Sequence, residues 1–226
     1  MKQYLLFDLD GTLTDPMVGI TSSVQYALEK FGIHVKYLKD LIPFIGPPLD
    51  DSFQEFYGFS KEDAEKAVEY YREYFAPKGI FENEVYPGIP EMLSRLVEAG
   101  FTLIVATSKP SVFAKQILDY FGLSDYFSFV GGSELDGTRK KKEEVIDYIL
   151  KICEIKPKEA IMIGDRRHDV EGAKFCGLES VGVLYGYGSE KELSNAGADH
   201  IIKDVRMLEE YLRKQGENTE NLTWYD

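Results

Sequence analysis

Tyr4-Leu5-Leu6-Phe7-Asp8-Leu9-Asp10-Gly11-Thr12-Leu13-Thr14-Asp15 begins as a short apolar strand and turns abruptly to acid and glycine. Residues i and i+2 of a strand point to the same side, so Asp8 and Asp10 aim at a common point. Gly11 breaks the strand directly after them, which puts both carboxylates at its C-terminal edge. Open α/β sheets hold ligands at that edge. Paired acids there suit a reaction in which one carboxylate attacks and the other moves protons. A plain surface turn is the competing reading, because Asp-Gly is a common turn dipeptide.

The rest of the chain supplies the setting. From residue 89 onward, helix and strand patterns alternate. A helix over 89–99 has Pro90 near its start and Gly100 past its end. The run 101–106 is continuously apolar, as in a strand buried on both faces. Helices are then expected over 111–121, 145–155, 169–175 and 205–214, and strands over 127–130, 160–164, 180–184 and 200–202. This alternation predicts an α/β fold built on a doubly wound parallel sheet. Residues 216–226 form a polar tail, expected to fray.

Residues 15–84 differ, because no strand pattern appears among them. Asp15-Pro16 suits a helix start and Gly32 closes that helix after Phe31. Ser60-Lys61-Glu62-Asp63 resembles a capping box for a helix to about Phe75. Between them, residues 43–49 turn into a further short helix. The aromatics Tyr70, Tyr71, Tyr74 and Phe75 read as packing rather than as a ligand site. A helical insertion between the first strand and the rest of the sheet is the simplest account.

Bulk properties exclude several partners. The 226 residues include 39 acidic and 26 basic side chains, a formal net charge of −13. A surface that acidic does not fit a nucleic-acid polymer, and a phosphate-handling site in it needs local correction by a metal ion or lysines. Cys153 and Cys176 lack metal-type spacing and read as reduced thiols of a cytosolic protein. Asp8 and Asp10 interrupt the first apolar run too early for a signal peptide, and no apolar run reaches membrane-spanning length. A soluble, cytoplasmic protein is expected, monomeric or homodimeric.

Three later segments fall near the first acids. Thr107-Ser108-Lys109-Pro110 follows a predicted strand, where a hydroxyl beside a helix N-terminus can bind a phosphate oxygen or simply cap the helix. Asp165-Arg166-Arg167-His168-Asp169 follows another strand. Its two acids, four apart, suit a hard cation such as Mg²⁺, although Asp165 alone is also an ordinary cap. Arg139-Lys140-Lys141-Lys142 opens a helix against the macrodipole. Such a run is usually a solvated cluster, yet one lysine turned inward would offset the charge of an acidic site.

Taken in order, Asp8-Leu9-Asp10-Gly11-Thr12-Leu13, Thr107, a lysine and Gly164-Asp165-x-x-x-Asp169 resemble the haloacid dehalogenase superfamily in its phosphatase branch. The similarity is greatest to the phosphoglycolate phosphatase-like group, which residues 45–49 and 184–188 also resemble. The resemblance implies a Rossmann-like catalytic core over 1–14 and 85–215, with 15–84 as a small helical cap. It implies Mg²⁺-dependent hydrolysis of a small phosphomonoester, such as phosphoglycolate or a 5′-nucleotide, through an aspartyl-phosphate. Asp8 would be nucleophile and metal ligand. Asp10 would be the acid–base, its backbone carbonyl also on the metal. Thr107 would hold a phosphoryl oxygen, Asp165 would ligate the metal, and Asp169 would orient it or a bound water.

The family often carries its lysine in a Lys-Pro pair, absent here. Register to the following helix selects Lys142 over Lys141. Substrate contacts are expected from Gly11, Thr12, Gly46, Ser108 and Lys109, with Phe44 and Ile45 as further selectors. An acid at Asp10 argues against dehalogenases and P-type ATPases. A β-phosphoglucomutase-like phosphomutase and an inorganic pyrophosphatase are the alternative activities, and a phospho-receiver fits less well.

Overall fold

Leu5, Leu6 and Phe7 are fully buried because their strand has a neighbour on each edge and helices on both faces. The computed structural model describes residues 2–216. Its strands are β1 (Tyr4–Phe7), β2 (Thr14–Asp15), β3 (Glu84–Val85), β4 (Thr102–Pro110), β5 (Phe127–Ser133), β6 (Ala160–Gly164), β7 (Glu179–Val183) and β8 (His200–Ile202). Six of them form one parallel sheet in the order β5-β4-β1-β6-β7-β8. From β1 the chain builds outward to β5 on one side, then crosses back to build β6 to β8 on the other. The C-terminal end of β1 is therefore a topological switch point, where such sheets open a crevice for ligands.

Strand alternation divides the core. Leu5, Phe7, Val105 and Ile163 face the helices α4 (Ile89–Glu98), α5 (Ser111–Tyr120) and α9 (Val205–Gly216). Leu6, Ile104 and Met162 face the other way, onto α6 (Lys142–Ile152) and α7 (Arg167–Cys176), and α8 (Glu190–Ala196) lies beside α7. The doubly wound parallel sheet is thus as expected. Cys153 and Cys176 are both free thiols, packed beside this second cluster. Among the described residues, no helix is long and apolar enough to cross a membrane.

The segment between β2 and β3 is helical. It comprises α1 (Met17–Lys30), a 3₁₀ stretch (Leu38–Phe44), α2 (Leu49–Tyr57), α3 (Lys61–Phe75) and a 3₁₀ turn (Gly79–Phe81). Ser60 caps α3 through its Oγ, which accepts the Asp63 N–H at 3.0 Å. That start sets the phase in which Ala64, Ala67, Tyr71 and Phe75 share the buried face.

Several boundaries differ from the sequence expectation. α1 begins after Pro16, while Asp15 accepts the Met17 N–H at 3.0 Å from just outside it. Asp15 itself lies in β2, which pairs antiparallel with β3 where the chain enters and leaves the insertion. Two-residue strands are too short to leave a period-two signature. β4 continues through Thr107 to Pro110, because β5 runs on to Ser133 and pairs with it after a register shift. Thr107 and Ser108 therefore do not cap α5, whose preceding residue Pro110 makes no side-chain cap. α6 starts three residues earlier than expected, at Lys142. Gly216 ends α9, and the rest of the tail expected to fray, 217–226, lies outside the described residues.

One glycine is fixed by contact rather than by conformation. Gly19 lies inside α1, where a Cβ would come within 1.9 Å of the Gly79 carbonyl oxygen. Helix propensity alone would favour alanine there by about 1 kcal/mol. The collision should win. Gly19→Ala is expected to lower the unfolding free energy by about 1–3 kcal/mol in a urea titration. A stabilised variant would contradict the close approach of α1 to residue 79.

Candidate active site

The first acids owe their position to a tight turn. The Asp8 N–H donates to Ile163 O at 2.9 Å, which keeps residue 8 in line with β6. The Leu9 carbonyl then accepts from the N–H groups of Thr12, Leu13 and Thr14 at 3.2, 2.9 and 3.1 Å. Gly11 makes this turn with φ of +83°, and a Cβ on it would lie 2.3 Å from Asp165 Oδ2. Both the backbone conformation and the closeness of Asp165 require glycine.

Beneath the turn, Lys142 is 3% exposed, and its ammonium lies among three oxygens. It forms ion pairs with Asp8 Oδ1 at 2.8 Å and Asp169 Oδ1 at 2.7 Å, and it donates a hydrogen bond to Ala106 O at 2.9 Å. Burial opposes its charge, but the two carboxylates outweigh burial and hold its pKa above the ordinary lysine value. Lys141 is exposed, and its backbone N–H donates to Glu144 Oε2 at 3.1 Å. The structure thus brings Lys142, not Lys141, to Asp8.

Asp165 is fully buried and has no cation paired with it among the described residues. Its Oδ2 accepts the Tyr187 N–H at 2.7 Å, and its Oδ1 accepts from Thr12 Oγ1 at 3.4 Å. Burial first, then Asp169 and Asp8, push its carboxyl well above the usual range. Burial also pushes Asp169 up, to about 6, against the opposing pull of Lys142. The second oxygen of Asp169 accepts the Arg166 N–H at 3.0 Å. Asp8, Asp165 and Asp169 each offer an oxygen within 4.8 Å of the others, a set that could hold a metal ion. One ammonium faces three carboxylates. That shortfall of positive charge, with oxygen donors only, fits a hard divalent cation. Asp169 completes this carboxylate set, whereas the Asp10 carboxylate stands outside it.

Asp10 faces a cleft of about 340 Å³, which also exposes Asp8, Thr107, Ser108 and Lys109 on the sheet side. The Lys109 ammonium lies 3.0 Å from Asp10 Oδ2 and 4.3 Å from the centre of the Phe75 ring. Among the described residues, Asp10 Oδ1 is buried without a hydrogen-bond partner. Burial raises the Asp10 pKa, with Lys109 pulling the other way. Thr107 Oγ1 accepts the Lys109 N–H at 3.2 Å. Gly46 borders the cleft, and the adjoining Ile45 carbonyl accepts from the Arg166 guanidinium. Gly11 and Thr12, expected to touch substrate, are not among the residues lining the cleft, and the Thr12 hydroxyl donates to Asp165.

The opposite wall comes from the insertion and carries residues that sequence reading set aside. Tyr71 and Phe75, stacked with centroids 5.1 Å apart, do pack, and they also line the cleft with Val68 and Arg72 of the same helix. Helical spacing of these positions was the available signal. A second layer supports the acids: Tyr185 OH donates to Thr12 O at 3.1 Å, and the Tyr187 hydroxyl bonds Asp15.

The sequence model of haloacid dehalogenase-like hydrolases matches residues 5–183. The chain belongs to this hydrolase family. It is 49% identical over 208 residues to a 5′-nucleotidase of Pseudomonas aeruginosa, across 92% of this chain and 94% of the relative. It is 28% identical over 212 residues to a phosphoglycolate phosphatase of Vibrio parahaemolyticus, across 90% and 93%. The crystal structure of a predicted phosphatase from Clostridium acetobutylicum superposes with a TM-score of 0.94 at 53% identity, covering 95% of this hydrolase and 99% of that chain.

The ion-pair geometry sets a stability test. Lys142→Met would leave Asp8 and Asp169 buried together without their cation, lowering the unfolding free energy at pH 7.5 by about 3–5 kcal/mol. Lys141→Met, at an exposed position, should stay within about 0.5 kcal/mol of the parent. A carboxyl raised on folding stabilises below its unfolded pKa of about 4, and that contribution is lost as pH climbs through its folded value. For Asp169 that value is about 6 and would move higher without Lys142. The Lys142→Met deficit should therefore shrink between pH 7.5 and pH 5 in urea titrations. An equal deficit at both would rule out buried carboxylate charge as its cause.

Proposed function

We propose that this hydrolase is a Mg²⁺-dependent phosphatase that cleaves small phosphomonoesters through an aspartyl-phosphate on Asp8. The observation that carries the reading is the pairing of Asp8 with Lys142 at the cleft floor, beside Asp10 with one oxygen uncommitted. A carboxylate balanced by a buried ammonium can approach a phosphoryl dianion without large repulsion. Asp8 attacks phosphorus, and the bond from phosphorus to the leaving oxygen breaks. Asp10, whose pKa is raised by burial, can carry a proton and gives it to that leaving oxygen. In the second half, Asp10 takes a proton from water, which attacks the phosphoryl group and restores the Asp8 carboxylate.

Thr107 donates its hydroxyl to a phosphoryl oxygen. Asp8 and Asp165 would hold Mg²⁺, and Asp169, with both oxygens engaged by Lys142 and the Arg166 N–H, positions that pair. The ion would neutralise charge on the transferring phosphoryl group, the main demand of this chemistry. Residues 15–84 serve as a cap that walls the cleft from water. The 49% identity to a 5′-nucleotidase supports nucleoside monophosphates as the first substrates to try, and the more distant phosphatase supports phosphoglycolate.

Purified protein with Mg²⁺ is expected to release phosphate from members of a 5′-nucleotide and phosphoglycolate panel, and EDTA should stop it. Asp8→Asn should remove turnover while circular dichroism stays unchanged. Asp10→Asn should slow turnover by about 10²- to 10⁴-fold. Silence of the parent protein across the panel, or full activity of Asp8→Asn, would overturn the assignment.

A further inference from the structure

Three cations line the cleft, and two of them are committed to acids. Lys109 is paired with Asp10. Lys140 lies 2.7 Å from Asp50 and 2.9 Å from Asp51. Arg72, on α3, has neither an ion pair nor a side-chain hydrogen bond among the described residues. The acids beside it on the helix are engaged elsewhere, Glu69 with Lys66 at 2.6 Å and Glu73 with the Tyr26 hydroxyl at 3.1 Å. Arg139 and Arg166, half-buried like Arg72, are both paired, with Glu134 and Glu192. Burial without a partner disfavours the guanidinium charge and lowers the Arg72 pKa. In a chain with 39 acidic and 26 basic residues, an unpaired half-buried arginine is out of keeping with the rest of the molecule.

The chemistry of the missing partner follows from the side chain. A guanidinium offers five N–H donors and no acceptor, so its partner is an acceptor oxygen. The position follows from the wall it belongs to. Arg72 sits on the insertion side of the cleft with Val68, Tyr71 and Phe75 of the same helix, across from the sheet-side wall of Asp8, Asp10 and Thr107. It is therefore placed to meet the leaving group rather than the phosphoryl group. We infer that Arg72 determines specificity by binding an acceptor oxygen on the leaving group of the substrate, either a carboxylate or a nucleobase carbonyl. The inference rests on the phosphatase reading of the same cleft.

Steady-state kinetics of the full chain and of Arg72→Met test it, with matched substrates. Phosphoglycolate and ethyl phosphate differ by a carboxylate, inosine and adenosine 5′-monophosphates differ by a base carbonyl, and phenyl phosphate has no acceptor on its leaving group. Arg72→Met is expected to lower kcat/KM about 10- to 100-fold more for the acceptor-bearing member of at least one pair than for phenyl phosphate. The loss should be carried in KM. A loss confined to phosphoglycolate assigns the carboxylate, and one confined to the inosine nucleotide assigns the base carbonyl. Arg72→Lys, which keeps charge but not the planar fork, should recover part of the loss. An equal loss on all five substrates, or no loss on any, overturns the inference. Silence of the parent protein on all five instead overturns the phosphatase reading and this inference with it.

Discussion

The ammonium of Lys142, shared between Asp8 and Asp169 and the carbonyl of Ala106, ties together four elements that are remote in sequence. Asp8 follows β1, Ala106 lies in β4, Lys142 opens α6, and Asp169 sits in the first turn of α7. A slip of one residue in either strand would turn its side chains to the opposite face and strand a buried charge. Breaking such a pair is costly even where the pair itself adds little net stability. The triad therefore acts on register more than on total stability, fixing the strand ends at the sheet's switch point.

That same triad leaves the site short of positive charge. Asp165 is as buried as its neighbours, yet only an N–H and a hydroxyl serve its oxygens. Neutral donors offset part of the desolvation of a carboxylate but not the repulsion from Asp8 and Asp169. Burial first, and then this repulsion, raises the pKa values of Asp165 and Asp169. A cation bound only by the folded chain would relieve it and stabilise the fold by mass action. The absence of a side chain at Gly11 belongs to the same arrangement, since any Cβ there would displace Asp165.

The sheet and its acids were legible because their signals are local. Apolar runs ending in Asp8 and Asp165 mark strand ends, and period-two alternation places Asp8 beside Asp10. Lys142 could be separated from Lys141 only through the phase of the helix that follows. What escaped depends on partners far along the chain. β4 extends through Thr107 only because Ser133 is there to pair with Pro110. The Thr12 hydroxyl is taken up by Asp165, which lies 153 residues further along the chain. Tyr71 and Phe75 read as packing on a helix face, and periodicity reports that a face is covered without saying what lies across from it.

The two sides of the cleft are joined by weaker bonds than those that fix its floor. Lys140 meets Asp50 and Asp51 of α2 with side chains about a third to a half exposed, and such pairs contribute only about 0–1 kcal/mol each. The Arg166 guanidinium reaches the Ile45 carbonyl while Glu192 holds its other edge. The buried triad below has no comparable access to water and no such tolerance. In the proposed reaction the wall would have to admit substrate and release phosphate, and it is held by partly exposed pairs while Asp8 is held by buried ones. The β2–β3 pair, two residues long, joins the chain where it enters and leaves the helical insertion.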